Sequence, residues 1–211
     1  MLGNHGRSIT RTIFTPVARV LAKMHVTPNM VTLTGTVVTV ALAVTLLARG
    51  HLTAGGIAVG IVLFCDSIDG VLARETGQTS RFGAFFDSTL DRIGDGAVFG
   101  SLLAWAVFGM DEGATRTVSI IAGIIAMCMV GTVPYARARA ESVGVVAKVG
   151  IAERTDRLVI ALVCAAASTW GLPQWVFAVG LVWVAFASFV TVCQRVWFTY
   201  RHIDESVTAE A

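Results

Sequence analysis

Apolar runs long enough to cross a hydrocarbon layer recur along the whole chain and leave few alternatives for its fold. At 1.5 Å of rise per residue, about 20 helical residues cross a bilayer core of about 30 Å. The first run extends from about Asn29 to Ala48, the second from Leu52 to Ala73 and the third from Phe82 to Phe108. A short polar connection, Met110 to Arg116, leads to a fourth that ends near Arg137. The fifth runs from about Thr155 to Trp170, and Gly171-Leu172-Pro173 turns the chain into a sixth ending near Tyr200. Charged residues make up 14% of the chain, against about 25% in soluble domains. Hydrophobic residues make up 55%, and the mean hydropathy is +0.73. The expectation is an all-α integral membrane protein with six transmembrane helices in a single domain over residues 1–211. No internal repeat divides it.

The segments outside these runs set the orientation. Residues 1–6 lack the apolar core of a cleavable signal peptide. From Arg7 to Met24, Ile9, Ile13, Val17, Val20 and Leu21 recur at helical spacing, with Arg7, Arg11, Arg19 and Lys23 elsewhere. That pattern predicts a basic amphipathic helix on the membrane surface, kinked or divided at Pro16. Thr27-Pro28 supplies a cap and a first-turn proline for the first span. Ile203 to Ala211 is polar and is expected to be disordered. With the six spans alternating, all of the 16 Lys and Arg except Arg49 and Arg116 fall toward one side. Both termini are therefore expected in the cytoplasm of a multi-pass cell-membrane protein. Gly56 and Gly60 form a small-xxx-small pair that permits close helix packing but assigns no dimer face.

One polar stretch interrupts the hydrocarbon. It reads Asp66-Ser-Ile-Asp69-Gly70-Val-Leu-Ala73-Arg74, then eight residues, then Gly83-Ala-Phe-Phe-Asp87-Ser-Thr-Leu-Asp91. On helices, Asp66 and Asp69 share a face at i, i+3, and Asp87 and Asp91 at i, i+4. The polar segment Glu75 to Arg81 can turn the chain and bring the two faces together. Four carboxylates would then converge, and bare anions there cost several kcal/mol each unless neutralised. The arginines near in sequence are Arg74, Arg81 and Arg92, so pairing with them is one reading. An all-oxygen set also suits a hard divalent cation, Mg²⁺ or Mn²⁺, which is the more economical reading. Cys65, Cys128, Cys164 and Cys193 lie in apolar runs without metal-ligand spacing. None of His5, His25, His51 and His202 adjoins the carboxylates, which argues against a His-based metal site or a Ser-His-Asp triad.

The spacing Asp-x2-Asp-Gly-x2-Ala-Arg-x8-Gly-x3-Asp-x3-Asp, met at every fixed position from Asp66 to Asp91, resembles the signature of the CDP-alcohol phosphotransferases. The resemblance implies six spans, a homodimer, and a CDP-linked lipid donor whose diphosphate sits on Mg²⁺ or Mn²⁺. It makes Asp66, Asp69 and Asp87 metal ligands and Asp91 the general base, with a possible metal contact of its own. It assigns Gly70, Ala73, Arg74 and Gly83, together with Asn29 and Asp69, to the CDP-lipid. Asp95 continues the i+4 row and either supports a ligand or answers Arg92.

A second polar feature lies on the same side. Tyr135-Ala-Arg137-Ala-Arg139-Ala-Glu141 leaves the fourth span, Glu153-Arg154-Thr-Asp156-Arg157 enters the fifth, and Arg195 lies within the sixth. Guanidinium groups on helix ends suit a phosphate dianion. Headgroup contact accounts equally well for Arg139, Lys148 and Arg157, and best for Arg201. Thr132, Arg137, Arg154 and Arg195 are the candidates for an acceptor phosphate. The Tyr-x-Arg-Ala-Arg-Ala-Glu run with Gly150-Ile-Ala-Glu153-Arg154 resembles the actinobacterial phosphatidylinositol-phosphate synthases. That resemblance implies a transferase of phospholipid biosynthesis, moving a phosphatidyl group from CDP-diacylglycerol to an inositol phosphate and releasing CMP. Its partners would be those substrates and membrane lipids, with no nucleic acid. Glycerol 3-phosphate, the acceptor of phosphatidylglycerophosphate synthases, is the alternative within the family. An ion-coupled transporter is the alternative outside it, but the acidic residues gather toward one side, and the outer loops add only Asp111 and Glu112.

Overall fold

The computed structural model of the chain describes the backbone of residues 2–209 and the side chains of residues 13–203. Among the described residues the regular structure is entirely helical. The elements are α1 (Leu2–Lys23), α2 (Pro28–Leu42) continued by a π-helical turn (Ala43–Leu47), α3 (Leu52–Cys65), α4 (Ser67–Glu75), α5 (Arg81–Phe108), α6 (Ala114–Glu141), α7 (Arg154–Ala167) and α8 (Trp175–Ala209).

Among the described residues, four helices are long and apolar enough to cross a membrane: Pro28–Leu47, Leu52–Glu75, Ala114–Glu141 and Trp175–Ile203. Their outward faces carry large apolar side chains, among them Val37, Ile57, Ile121, Ile124, Val182 and Phe189. Contiguous apolar surface of that extent needs an apolar solvent. The chain is a multi-pass membrane protein. Two of the expected spans differ from these four. Helix α5 has 28 residues, about 42 Å of rise, but its first half carries Asp87, Asp91, Arg92 and Asp95. Helix α7 has only 14 residues, about 21 Å, because the chain turns from Ser168 onward instead of continuing to Trp170.

The second span is also not one regular helix. It is interrupted at Asp66, between α3 and α4, although Asp66 itself keeps helical dihedrals (φ −53°, ψ −32°). Gly56 on α3 approaches the α7 backbone, where an added Cβ would lie 3.7 Å from the Leu162 carbonyl, so half of the small-xxx-small pair serves packing within the chain. The core runs through the middle of the bundle and includes Val98, Leu102 and Trp105 of α5 together with Phe177, Leu181 and Val184 of α8. Trp105 meets Phe177 edge to face at 5.0 Å.

Helix α1 passes Pro16 without dividing. It buries Phe14 and Ala18 against Val71 and Leu72 of α4, and Arg19 pairs with Glu75 at 3.6 Å. Ile13, Val17 and Val20, expected on its membrane face, are exposed, and Leu21 is partly buried; the Ile9 side chain lies outside the described residues. At the other end α8 remains helical through Ala209, where disorder from Ile203 was expected. Extending a helix adds one hydrogen bond per residue fixed, so a long membrane helix readily propagates into a polar tail.

The loop joining α6 to α7 is pressed onto α8. Gly150 has φ of +149°, and an added Cβ would lie 2.5 Å from Thr191 Cγ2. Thr191 is itself fully buried. Gly150→Ala is expected to destabilise the protein by about 1–3 kcal/mol, read as a lower melting temperature in detergent.

Candidate active site

Helices α2, α4 and α5 build the first part of the site. Ser80 caps α5, its Oγ accepting the Gly83 N–H at 2.9 Å, and Thr27 caps α2 by accepting from Met30 N–H at 3.4 Å. Between these helix starts lies a cavity of about 210 Å³. All six residues expected to contact a CDP-lipid line it: Asn29, Asp69, Gly70, Ala73, Arg74 and Gly83. Asp87 reaches the same wall. The glycines keep the helix backbones accessible, and a Cβ at Gly83 would stand 3.1 Å from Ser80 Oγ and 3.5 Å from Asn29 Oδ1.

Asp66, Asp87 and Asp91 offer carboxylate oxygens that all lie within 4.8 Å of one another. Two oxygens on opposite sides of one Mg²⁺ stand about 4.2 Å apart, so this donor set fits a hard divalent cation. Asp69, expected as a fourth member, lies beside this group on the cavity wall that it shares with Asp87. Its Oδ2 accepts from Thr32 Oγ1 at 2.5 Å and its Oδ1 from the Gly70 N–H at 2.5 Å.

These carboxylates pair with one arginine near in sequence, Arg92, and with one far from them in sequence, Arg154. Arg154, from the first turn of α7, places Nη1 2.8 Å from Asp91 Oδ1 and 3.8 Å from Asp66 Oδ2, while its Nε donates to Asp95 Oδ1 at 2.9 Å. Arg92 adds contacts of 3.3 Å to Asp91 and 3.6 Å to Asp95. Asp95 thus answers Arg92, as the sequence allowed, and also Arg154. Arg74 and Arg81, the other arginines near in sequence, lie elsewhere: Arg74 lines the nucleotide-sized cavity and Arg81 opens α5.

The remaining basic residues have specific partners. Arg137 pairs with Glu141 at 2.9 Å, one turn along α6. Arg195 donates from Nε to the Val149 carbonyl at 3.0 Å and from Nη1 to the Val133 carbonyl at 2.5 Å, clamping the α6–α7 loop to α8. Thr132 Oγ1 donates to the Cys128 carbonyl at 2.8 Å within α6. Arg157, left open by the sequence between an acceptor phosphate and a lipid headgroup, is only 3% exposed, and its Nε and Nη1 have no hydrogen-bond partner. Asp95, Arg92, Arg195 and Arg154 all lie close enough to act on its charge. The burial of this guanidinium, with two open donors, is what the sequence did not reveal. Its only sequence signal was the register Arg154-x-x-Arg157, which puts both side chains on one face of α7.

The carboxylate group, the glycine-walled cavity and the buried arginines together define a site for a phosphate-rich substrate at the meeting of α2, α4, α5 and α7. Residues 25–193 match the profile of the CDP-alcohol phosphatidyltransferases, and the chain belongs to that family. Its curated relatives include the phosphatidylinositol phosphate synthase of Streptomyces avermitilis, 39% identical over all of this chain and 87% of the relative. That of Mycobacteroides abscessus is 41% identical over 92% of this chain and 87% of its own. The fold is similar to the crystal structure of Mycobacterium tuberculosis phosphatidylinositol phosphate synthase with CDP-DAG bound. The TM-score is 0.83 at 40% identity, covering 90% of this chain and 94% of that one. The same enzyme in complex with manganese and citrate gives a TM-score of 0.82 at 40% identity, covering 89% and 88% of the two chains.

Proposed function

We propose that this chain transfers the phosphatidyl group of CDP-diacylglycerol to an inositol phosphate, releasing CMP. The observation that carries this reading is the adjacency of three parts: the Asp66–Asp87–Asp91 group, the cavity walled by Gly70, Ala73 and Gly83, and the arginines of α7. The relatives named phosphatidylinositol phosphate synthase, and the CDP-DAG complex of one of them, support the choice of donor and acceptor.

In this reading the cytidine and its phosphates occupy the cavity against Asn29, Gly70, Ala73, Arg74 and Gly83. Asp66, Asp87 and Asp91 hold the divalent cation, and Asp69, on the shared wall with Asp87, completes the set. Bound there, Mg²⁺ or Mn²⁺ neutralises the diphosphate and stabilises departing CMP. Asp91 takes the proton of the acceptor hydroxyl. The acceptor oxygen forms a bond to the lipid-side phosphorus as that phosphorus breaks its bond to the bridging oxygen, which leaves on CMP with the electron pair. Thr132, Arg137, Arg154 and Arg195 bind the acceptor's own phosphate, and the open donors of Arg157 join them.

The membrane arrangement follows from the same residues. Helix α5 supplies a fifth crossing, and α7 with the turn after it supplies a sixth. The exposed Ile13, Val17 and Val20 of α1, flanked by Arg19 and Lys23, seat that helix on the cytoplasmic surface. The site opens to the cytoplasm, and the unit in the bilayer is a homodimer.

Purified protein with CDP-diacylglycerol and Mg²⁺ should release CMP when given inositol 3-phosphate or inositol 1-phosphate, and not when given free inositol. Release with glycerol 3-phosphate alone would keep the chemistry and make the chain a phosphatidylglycerophosphate synthase. Absence of metal-dependent release with every acceptor would remove the enzymatic reading.

A further inference from the structure

We propose that Asp95 is a positioning residue for the transfer reaction and acts through Arg154; this rests on the function proposed above. Asp95 lies outside the family signature, one helical turn past Asp91 on α5, and its side chain is 3% exposed. A carboxylate at that depth is costly unless its partners are well placed. Its Oδ1 takes the Nε–H of Arg154 at 2.9 Å, and its Oδ2 faces Arg92 Nη1 at 3.6 Å.

The guanidinium is planar and rigid, so fixing its Nε edge also fixes where its Nη groups point. In Arg154 those groups meet Asp91 at 2.8 Å and Asp66 at 3.8 Å. Asp95 therefore sets the position of Arg154 against the general base. Without Asp95, the long side chain follows whichever of Asp66, Asp91 or an incoming phosphate attracts it most. The CDP-lipid cavity, which neither Asp95 nor Arg154 lines, is untouched. The consequence is a loss in turnover with donor binding kept.

The test is a double-mutant cycle on the full-length protein in detergent, with Asp95→Leu, Arg154→Gln and the double variant; leucine fills the space of the aspartate and offers no oxygen to the Nε–H of Arg154. Asp95→Leu should lower kcat for CMP release about 10- to 100-fold, the range for partners that orient residues of a metal site, with KM for CDP-diacylglycerol within about 3-fold. The double variant should be no slower than Arg154→Gln alone. Arg154→Lys keeps the charge but lacks the Nε–H, so it should reproduce the kcat loss of Asp95→Leu, and it serves should that variant not fold. Multiplicative effects in the cycle, near-normal kcat in Asp95→Leu or Arg154→Lys, or a change confined to donor KM would overturn the proposal. Thermal melting of the same variants reads the contact without any substrate, and additive shifts there would overturn the contact itself. A wild-type protein that releases no CMP but shows coupled melting shifts would retain the contact and remove the reaction it serves.

Discussion

Asp91→Asn should slow CMP release by about 10²- to 10⁴-fold, the span expected when a general base is removed. Asparagine keeps the shape and one oxygen to accept from Arg154, which now stands 2.8 Å away. It cannot take up the proton of the acceptor hydroxyl. The cavity proposed for the nucleotide does not include Asp91, so at Mg²⁺ concentrations that saturate the variant, binding of CDP-diacylglycerol should survive. Single-turnover measurement of CMP release, paired with equilibrium binding of the donor, separates the two effects. A loss of less than tenfold would take Asp91 out of the base role and leave it a charge partner of Arg154 and Arg92.

Removal of the divalent cation should have an effect at least as large. Treatment with EDTA is expected to abolish CMP release, and excess Mg²⁺ or Mn²⁺ to restore it. Asp66→Asn or Asp87→Asn should lower Mn²⁺ affinity at least about 100-fold, because each removes one of three charged donors within 4.8 Å of one another. A readout independent of turnover is available. A ligand bound only by the folded state at about 100 times its Kd stabilises by about 2.7 kcal/mol. The melting temperature of the wild-type protein should therefore rise with Mn²⁺, and that of Asp66→Asn should not. An equal rise in both would place the cation elsewhere.

The parts of this site that were legible in the sequence are those fixed by short-range spacing. Gly70, Ala73 and Gly83 were assigned to the donor by the resemblance to the family signature, and the structure gathers them on one cavity. Asp87 and Asp91 lie on one uninterrupted helix, and their i, i+4 spacing places them together. Asp66 and Asp69 sit at the start of α4, where Asp66 joins Asp87 and Asp91 while Asp69 faces the neighbouring cavity, a division that spacing alone does not show. Depth was the other missing quantity. Arg154 reaches Asp95 across 59 residues of sequence, and Arg157 is buried where the sequence left a headgroup contact open. Hydropathy shows that a residue is charged and not whether other helices enclose it. In α1 periodicity selected the larger apolar set, whereas packing chose Phe14 and the small Ala18 that lets α4 come close.

The glycine-walled cavity also bears on how this protein can change under selection. Its wall at positions 70, 73 and 83 is mostly main chain, so an inhibitor seated there would contact groups that no substitution removes. Escape would have to come from enlarging a side chain, and at Gly83 the first added carbon already meets Ser80 at 3.1 Å. Such a change would narrow the space open to the natural nucleotide as well. The routes to resistance that keep the enzyme working are correspondingly few, and they run through the polar rim at Asn29, Arg74 and Gln78.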